Sequence, residues 1–167
     1  MRNKTIYCVV LFILCLAGLV LSFVDNSKTE VYAQDMDFSS PEAAFRTYMQ
    51  ACKELDFYKS DLCYTKEFQR FTKTNKRYLS HRHKGQLRNE YNDLYGRNYK
   101  LEMYGNKAIM RFAPEFMRPA PLYFVREDGE WKIDAMFAFN NIIMDDRTGG
   151  WFWKHPNIDN EKQWLRR

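Results

Sequence analysis

Glycine and proline are scarce, at seven and five of 167 residues, and no segment recurs at a fixed spacing. The shortage excludes collagen-like and low-complexity chains, and the missing period excludes repeat arrays and coiled coils. Histidine is rarer still, at three. No GxSxG, HExxH, glycine-rich phosphate loop or calcium-loop pattern is present. Aromatic residues are what the chain has in quantity: thirteen Phe, eleven Tyr and four Trp. Disordered chains lack these residues, and with 46% apolar positions there is material for one packed core.

Arg2 and Lys4 precede an uncharged run from Thr5 to Val24. A positive end followed by an apolar stretch predicts an export signal, with the rest of the chain outside, in a periplasmic or cell-envelope location. Val31-Tyr32-Ala33 places a cleavage point before Gln34, yet the run also approaches the roughly 20 residues that span a bilayer. Two outcomes stay open for residues 1–33, a cleaved signal peptide and an uncleaved membrane anchor. Without them the formal charge is +4, from 23 basic and 19 acidic side chains. That excess is mild, and an exported protein rarely meets nucleic acid, so no nucleic-acid partner is expected.

Of four cysteines, Cys8 and Cys15 fall in the signal, leaving Cys52 and Cys63. In an oxidising compartment these two could form a disulfide between successive short helices, or stay as two buried thiols on apolar faces. Without a CxxC spacing or a neighbouring His, neither reads as a catalytic thiol.

After a linker over 34–38, Ser39 with Glu42 reads as a capping box, Pro41 sits in the first turn and Phe38 can staple against the helix. Phe45, Tyr48, Met49, Cys52 and Leu55 follow at spacings of three and four, which predicts a helix to Asp56. Short helices are predicted over 57–64 and from Thr65 on. A further helix over 75–95 carries Leu79, His83, Leu87, Tyr91 and Leu94. The period then changes to two: Tyr99, Leu101 and Met103, a turn at Gly105-Asn106, then Ala108, Met110 and Phe112. A second hairpin is predicted from 122–126 and 131–139 across Asp128-Gly129. Helices first and antiparallel strands afterwards make an α+β fold. The predicted organisation is a domain over 39–140 and an aromatic carboxy-terminal extension over 141–167.

Two stretches resemble the nuclear transport factor 2-like superfamily: SSPEAAFRTYMQACKELDFYKSDLCYTKEF, matching its opening helices, and LYFVREDGEWKIDAMF, matching its closing hairpin. Leu55 stands where Gly is common. The resemblance implies amino-terminal helices packed in a strongly curved antiparallel sheet, a cone-shaped or cystatin-like roll. It does not determine function, since the superfamily holds isomerases and dehydratases, polyketide cyclases, transport adaptors and assembly domains carried on one membrane-spanning helix.

Alternation sorts the strand residues into two faces. The large-apolar face, Tyr99 to Phe112, Leu122, Phe124 and Trp131 to Phe139 at every second position, carries no carboxylate or histidine. Asp134 falls on the opposite face with Lys132. This argues against proton-transfer chemistry, which needs an ionisable group on the hollow side. Tyr48, Tyr91, Tyr99 and Trp131 are the candidates to line a ligand pocket. His81 and His83, two apart on a helix, point about 200° apart and cannot share an ion; no metal or cofactor is expected. Lys66, Arg70, Lys73, Lys76, Arg77, Arg82, Lys84 and Arg88 stand against Glu67 alone, and Lys73, Lys76 and Arg77 mark a basic surface suited to membrane contact.

On the outer face Ile109, Tyr123, Val125 and Met136 are too apolar for water, so either a second copy of the chain or the aromatic extension is expected to cover them. The expected function is an exported, non-catalytic domain binding an apolar small molecule or an envelope protein. The alternatives are a small isomerase-, dehydratase- or cyclase-type enzyme and a membrane-anchored assembly subunit.

Overall fold

Ser40 starts the first helix. Its backbone is extended and its hydroxyl accepts the N–H of Ala43 at 3.1 Å, so the cap lies one residue later than the expected Ser39. Helix α1, Pro41–Glu54, ends on Leu55 in the left-handed conformation (φ 55°), whose N–H returns to the carbonyls of Ala51 and Cys52. Asp56 then caps α2, Phe57–Leu62, by accepting the N–H of Lys59 at 3.0 Å. These belong to a computed structural model, which describes residues 36–74 and 82–167. The signal or anchor over 1–33, the start of the linker, and Lys76, Arg77 and His81 lie outside the described residues.

Helices α3, Lys66–Thr74, and α4, Arg82–Leu94, follow. Four strands then form an antiparallel meander in the order β1-β2-β3-β4: Tyr99–Tyr104, Lys107–Phe112, Leu122–Glu127 and Glu130–Ile133. Asp128 and Gly129 both take positive φ, 52° and 87°, the geometry of the tight turn read from the Asp-Gly pair. The fold is α+β, with six helices, this sheet and a two-stranded sheet among the described residues. Helix α1 packs against α2, α4 and β4.

The register bears out the face assignment as far as Ile133. Leu101 opposes Met110, Ala108 opposes Phe124, Met110 opposes Leu122 and Phe124 opposes Ile133 on one face; Glu102 opposes Ile109, Ile109 opposes Tyr123 and Val125 opposes Lys132 on the other. Ala108, Met110 and Phe124 are fully buried on the first face.

The expected strand to Phe139 is corrected at Asp134. Its Oδ1 accepts the N–H of Phe137 at 3.0 Å, which turns the chain into helix α5, Ala135–Asn141. Ala-Met-Phe-Ala-Phe alternates in size but contains no β-branched residue, and a side chain that caps the backbone settles the competition for helix. Met136 is consequently a half-buried helical residue and not part of the outer sheet face.

The segment after α5 forms a hairpin, β5 Ile142–Asp145 with β6 Gly150–Trp153, and then helix α6, Asn160–Arg166, capped by Asp159. Ile109, Tyr123, Phe137, Ile142, Trp151 and Trp164 make one buried cluster, with Val125, Ala138 and Trp153 packed on it. Ile109 and Tyr123 are 0% and 1% exposed. The proposed interaction face is therefore corrected: the carboxy-terminal extension covers Ile109 and Tyr123 and half-buries Val125. Residues 37–167 form one compact unit that includes this extension.

Polar groups pin the cover in place. Glu161 of α6 takes both terminal nitrogens of Arg111, at 2.9 and 2.6 Å, and accepts the Tyr123 hydroxyl at 2.8 Å. Lys107, almost fully buried, donates to the Trp164 carbonyl and lies 4.9 Å from the centroid of its ring. Arg111 also donates from Nε to Glu102 at 3.1 Å, which joins the cover to the edge strand.

Candidate functional site

A hollow of about 670 Å3 lies between α4 and the end of the sheet where β3 begins and β4 stops. Its walls are mainly apolar: Tyr48 of α1, Leu94 of α4, Pro119 to Leu122 leading into β3, Ile133 of β4, and Ala135 and Ala138 of α5. A smaller hollow of about 340 Å3 lies among α2, α3 and α4, with Phe57, Phe68 and Leu87 in its wall. Tyr64, Gln86 and Glu90 line both. These three residues are the boundary between the two spaces.

Glu90 is the group that the strand-based reasoning missed. It sits on α4 three residues after Leu87 in the stripe Leu87, Glu90, Tyr91, Leu94, the spacing of a buried helical face. Leu87 and Leu94 are each 5% exposed, and Glu90 between them is only partly accessible. Burial, with the like charge of Asp93 one turn on, pushes its carboxyl up to about 7. Gln86, one turn back, donates its amide to Oε1 at 2.8 Å. The strands supply no carboxylate or histidine to the hollow, as their alternation implied, but helix α4 supplies Glu90, outside the reach of that argument. A carboxylate at the i+3 position of an apolar stripe was the available signal.

Of the other carboxylates at the hollow, Asp93 has no salt bridge among the described residues, while Asp146 and Asp134 are engaged. Asp146 pairs with Arg118. Asp134 uses one oxygen to cap α5 and the other to accept the Trp164 indole N–H at 2.8 Å. It therefore serves a structural role at the border of the hollow, tying α5 to α6. In the smaller hollow Asp61 accepts the Thr72 hydroxyl at 3.3 Å, and its burial holds its carboxyl above the ordinary range.

Of the four residues expected to line a pocket, Tyr48 lines the larger hollow and Tyr99 lines a separate groove of about 530 Å3 beside Glu102 and Arg111. The Tyr48 hydroxyl accepts the Tyr64 hydroxyl at 2.8 Å, and their rings meet edge to face at 5.5 Å. Burial raises Tyr64 well above the ordinary tyrosine range, so its phenol stays neutral. Tyr91 and Trp131 are corrected, and Tyr99 does not reach the larger hollow. Tyr91 stacks on Tyr95 at 5.1 Å and does not border the hollow. Tyr99 is 43% exposed on the edge strand, its ring against Phe45. Trp131 is buried, and its backbone N–H donates to the Phe38 carbonyl at 2.9 Å, so its ring is core.

Cys52 and Cys63 are free, fully buried thiols, the second of the two outcomes left open by the sequence. Cys63 donates to the Lys59 carbonyl at 3.3 Å, and burial pushes both thiols up to about 12. Lys73 is exposed on α3. Among the described residues no group of three or more His, Cys, Asp or Glu is placed to hold a metal ion, and no helix is long and apolar enough to cross a membrane.

No protein-family profile, curated protein or solved structure matches the chain.

Proposed function

We propose that this chain is an exported binding domain whose hollow receives an apolar small molecule. The observation that carries the reading is the 670 Å3 space itself, walled by Tyr48, Leu94, Pro119, Leu122, Ile133 and Ala138. It falls within the size range of small-molecule sites, and its predominantly apolar wall with a few convergent polar groups is how such sites hold and orient a ligand. The aromatic extension occupies the outer sheet face, which leaves this hollow as the better place for a partner than that face. Export rests on the charge and apolar run of residues 2–24. The order of helices followed by an antiparallel meander supports the likeness to the nuclear transport factor 2-like superfamily, which we retain as part of the proposal.

Native mass spectrometry of gently purified protein, together with titration of a neutral environment-sensitive dye, tests the reading. A bound apolar species, or dye fluorescence that is lost when Ala138→Trp fills the hollow in a folded protein, supports it. No bound species and no dye uptake would sink it.

One observation favours a second reading, a small isomerase-, dehydratase- or cyclase-type enzyme: Glu90, a carboxyl pushed to about 7 at the edge of an apolar hollow, is in the working range of a general acid or base. Under that reading a co-purified ligand changes mass on incubation with the protein at neutral pH, and Glu90→Gln stops the change.

A further inference from the structure

We infer that the ligand of the larger hollow is a cationic amphiphile, an alkyl or aryl ammonium whose nitrogen sits at Glu90 and Asp93 and whose apolar body lies against the proline and aliphatic wall. This rests on the proposed binding function and names the chemical class of its ligand. The protein as a whole is basic, with 26 Lys and Arg against 21 Asp and Glu, yet this space is acidic. Four carboxylates border it, Glu90, Asp93, Asp134 and Asp146, and one basic residue, Arg118.

The four are not equivalent. Arg118 donates from Nη2 to Asp146, while its buried Nε has no partner among the described residues. Asp134 has both oxygens filled by the Phe137 N–H and the Trp164 indole. Glu90 and Asp93 remain, three residues apart on one face of α4, and among the described residues neither has a basic partner. Among the described residues, the side-chain hydrogen bond that Glu90 accepts is the Gln86 amide on Oε1.

Two like charges placed one turn apart, facing an apolar space, repel each other and lose hydration. A cation entering between them reverses both effects. An anion would meet two carboxylates, and a neutral ligand would gain only the apolar wall. The position of Glu90 on the boundary of the two hollows sets the geometry: the charged end sits at the junction with Tyr64 and Gln86, and the apolar part extends toward Pro119, Leu122 and Ala138. Burial already holds Glu90 partly protonated near neutral pH, so an arriving ammonium also displaces a proton.

The test is calorimetric titration of the folded protein with three probes of one chain length, n-decylammonium, 1-decanol and decanoate, kept below their micelle-forming concentrations. The expected result is that decylammonium binds about tenfold or more tighter than decanol, the size of one charge-assisted hydrogen bond, and that decanoate is weakest. In Glu90→Gln/Asp93→Asn the ammonium preference should vanish while decanol binding is unchanged, which also shows that the variant is folded. Decanol and decylammonium binding equally, or decanoate binding best, would overturn the inference and leave the apolar-binding reading standing. No binding of any probe would overturn both.

Discussion

The indole N–H of Trp164 donates to Asp134 Oδ2 at 2.8 Å, across thirty residues of chain. Asp134 thereby performs two tasks with two oxygens: one begins α5, ending the sheet, and the other holds α6 over the sheet's outer face. Asp134→Ala removes a helix cap and strands a buried indole donor, so it should cost about 2–3 kcal/mol. Trp164→Phe keeps most of the ring packing and should cost less. Urea unfolding of the two variants and their combination measures the coupling, which is expected near 1 kcal/mol. Full additivity would mean that the bond does not tie the layers together.

Leu55 is a side-chain-bearing residue where the backbone wants glycine, with φ at 55°. Left-handed backbone costs an L-residue roughly 1 kcal/mol, and glycine escapes it at the expense of some unfolded-chain entropy. Leu55 is only half-buried, so little packing is lost. Leu55→Gly is expected to stabilise the protein by about 0.5 kcal/mol, read as a higher urea midpoint at unchanged slope.

Two carboxyls give opposite pH dependences. Glu90 is raised from the ordinary 4.5 to about 7, chiefly by burial, so the folded state binds its proton more tightly than the unfolded one. Stability from this group is full below about 4.5 and is lost as pH rises through 7. Glu90→Gln should leave stability at pH 4 unchanged and raise it at pH 8 by up to about 3 kcal/mol. Glu102 is lowered to about 2, first by the Lys100 hydrogen bond and then by Arg111. Its contribution is present above 4.5 and is lost as pH falls toward 2. Urea midpoints of wild type, Glu90→Gln and Glu102→Gln across pH 3–8 should separate the two arms.

The thiols of Cys52 and Cys63 are fully buried and held protonated. A thiol-alkylating reagent should leave both unmodified in the native protein at pH 8 and label both once the chain is unfolded without reductant, as mapped by peptide mass. Absence of label in the unfolded, unreduced protein would mean that a disulfide joins them.

The first hairpin and the Asp-Gly turn were legible because strand residues alternate with period two and because few residues other than glycine and asparagine accept positive φ in a tight turn. Tyr48 was legible as a helical residue facing inward. Two features were not. The end of β4 depended on a single side chain, Asp134, choosing a backbone N–H three residues on, and alternation in size around it hid the helix. Glu90 was passed over because the search for ionisable groups followed the strands, whereas the stripe on α4 was read as apolar from its leucines and tyrosine. For Tyr91 and Trp131 the spacing placed each ring on an inward face, but which of those faces borders the hollow depends on how α4 packs on α1, and no local pattern encodes that packing.

The cover over the sheet has a consequence for biosynthesis. Residues 99–133 leave the ribosome ahead of Trp151, Glu161 and Trp164, so the meander is made while the greasy side bearing Ile109 and Tyr123 still lacks its lid. A nascent chain stalled before residue 150 should therefore be far stickier than its few missing residues suggest.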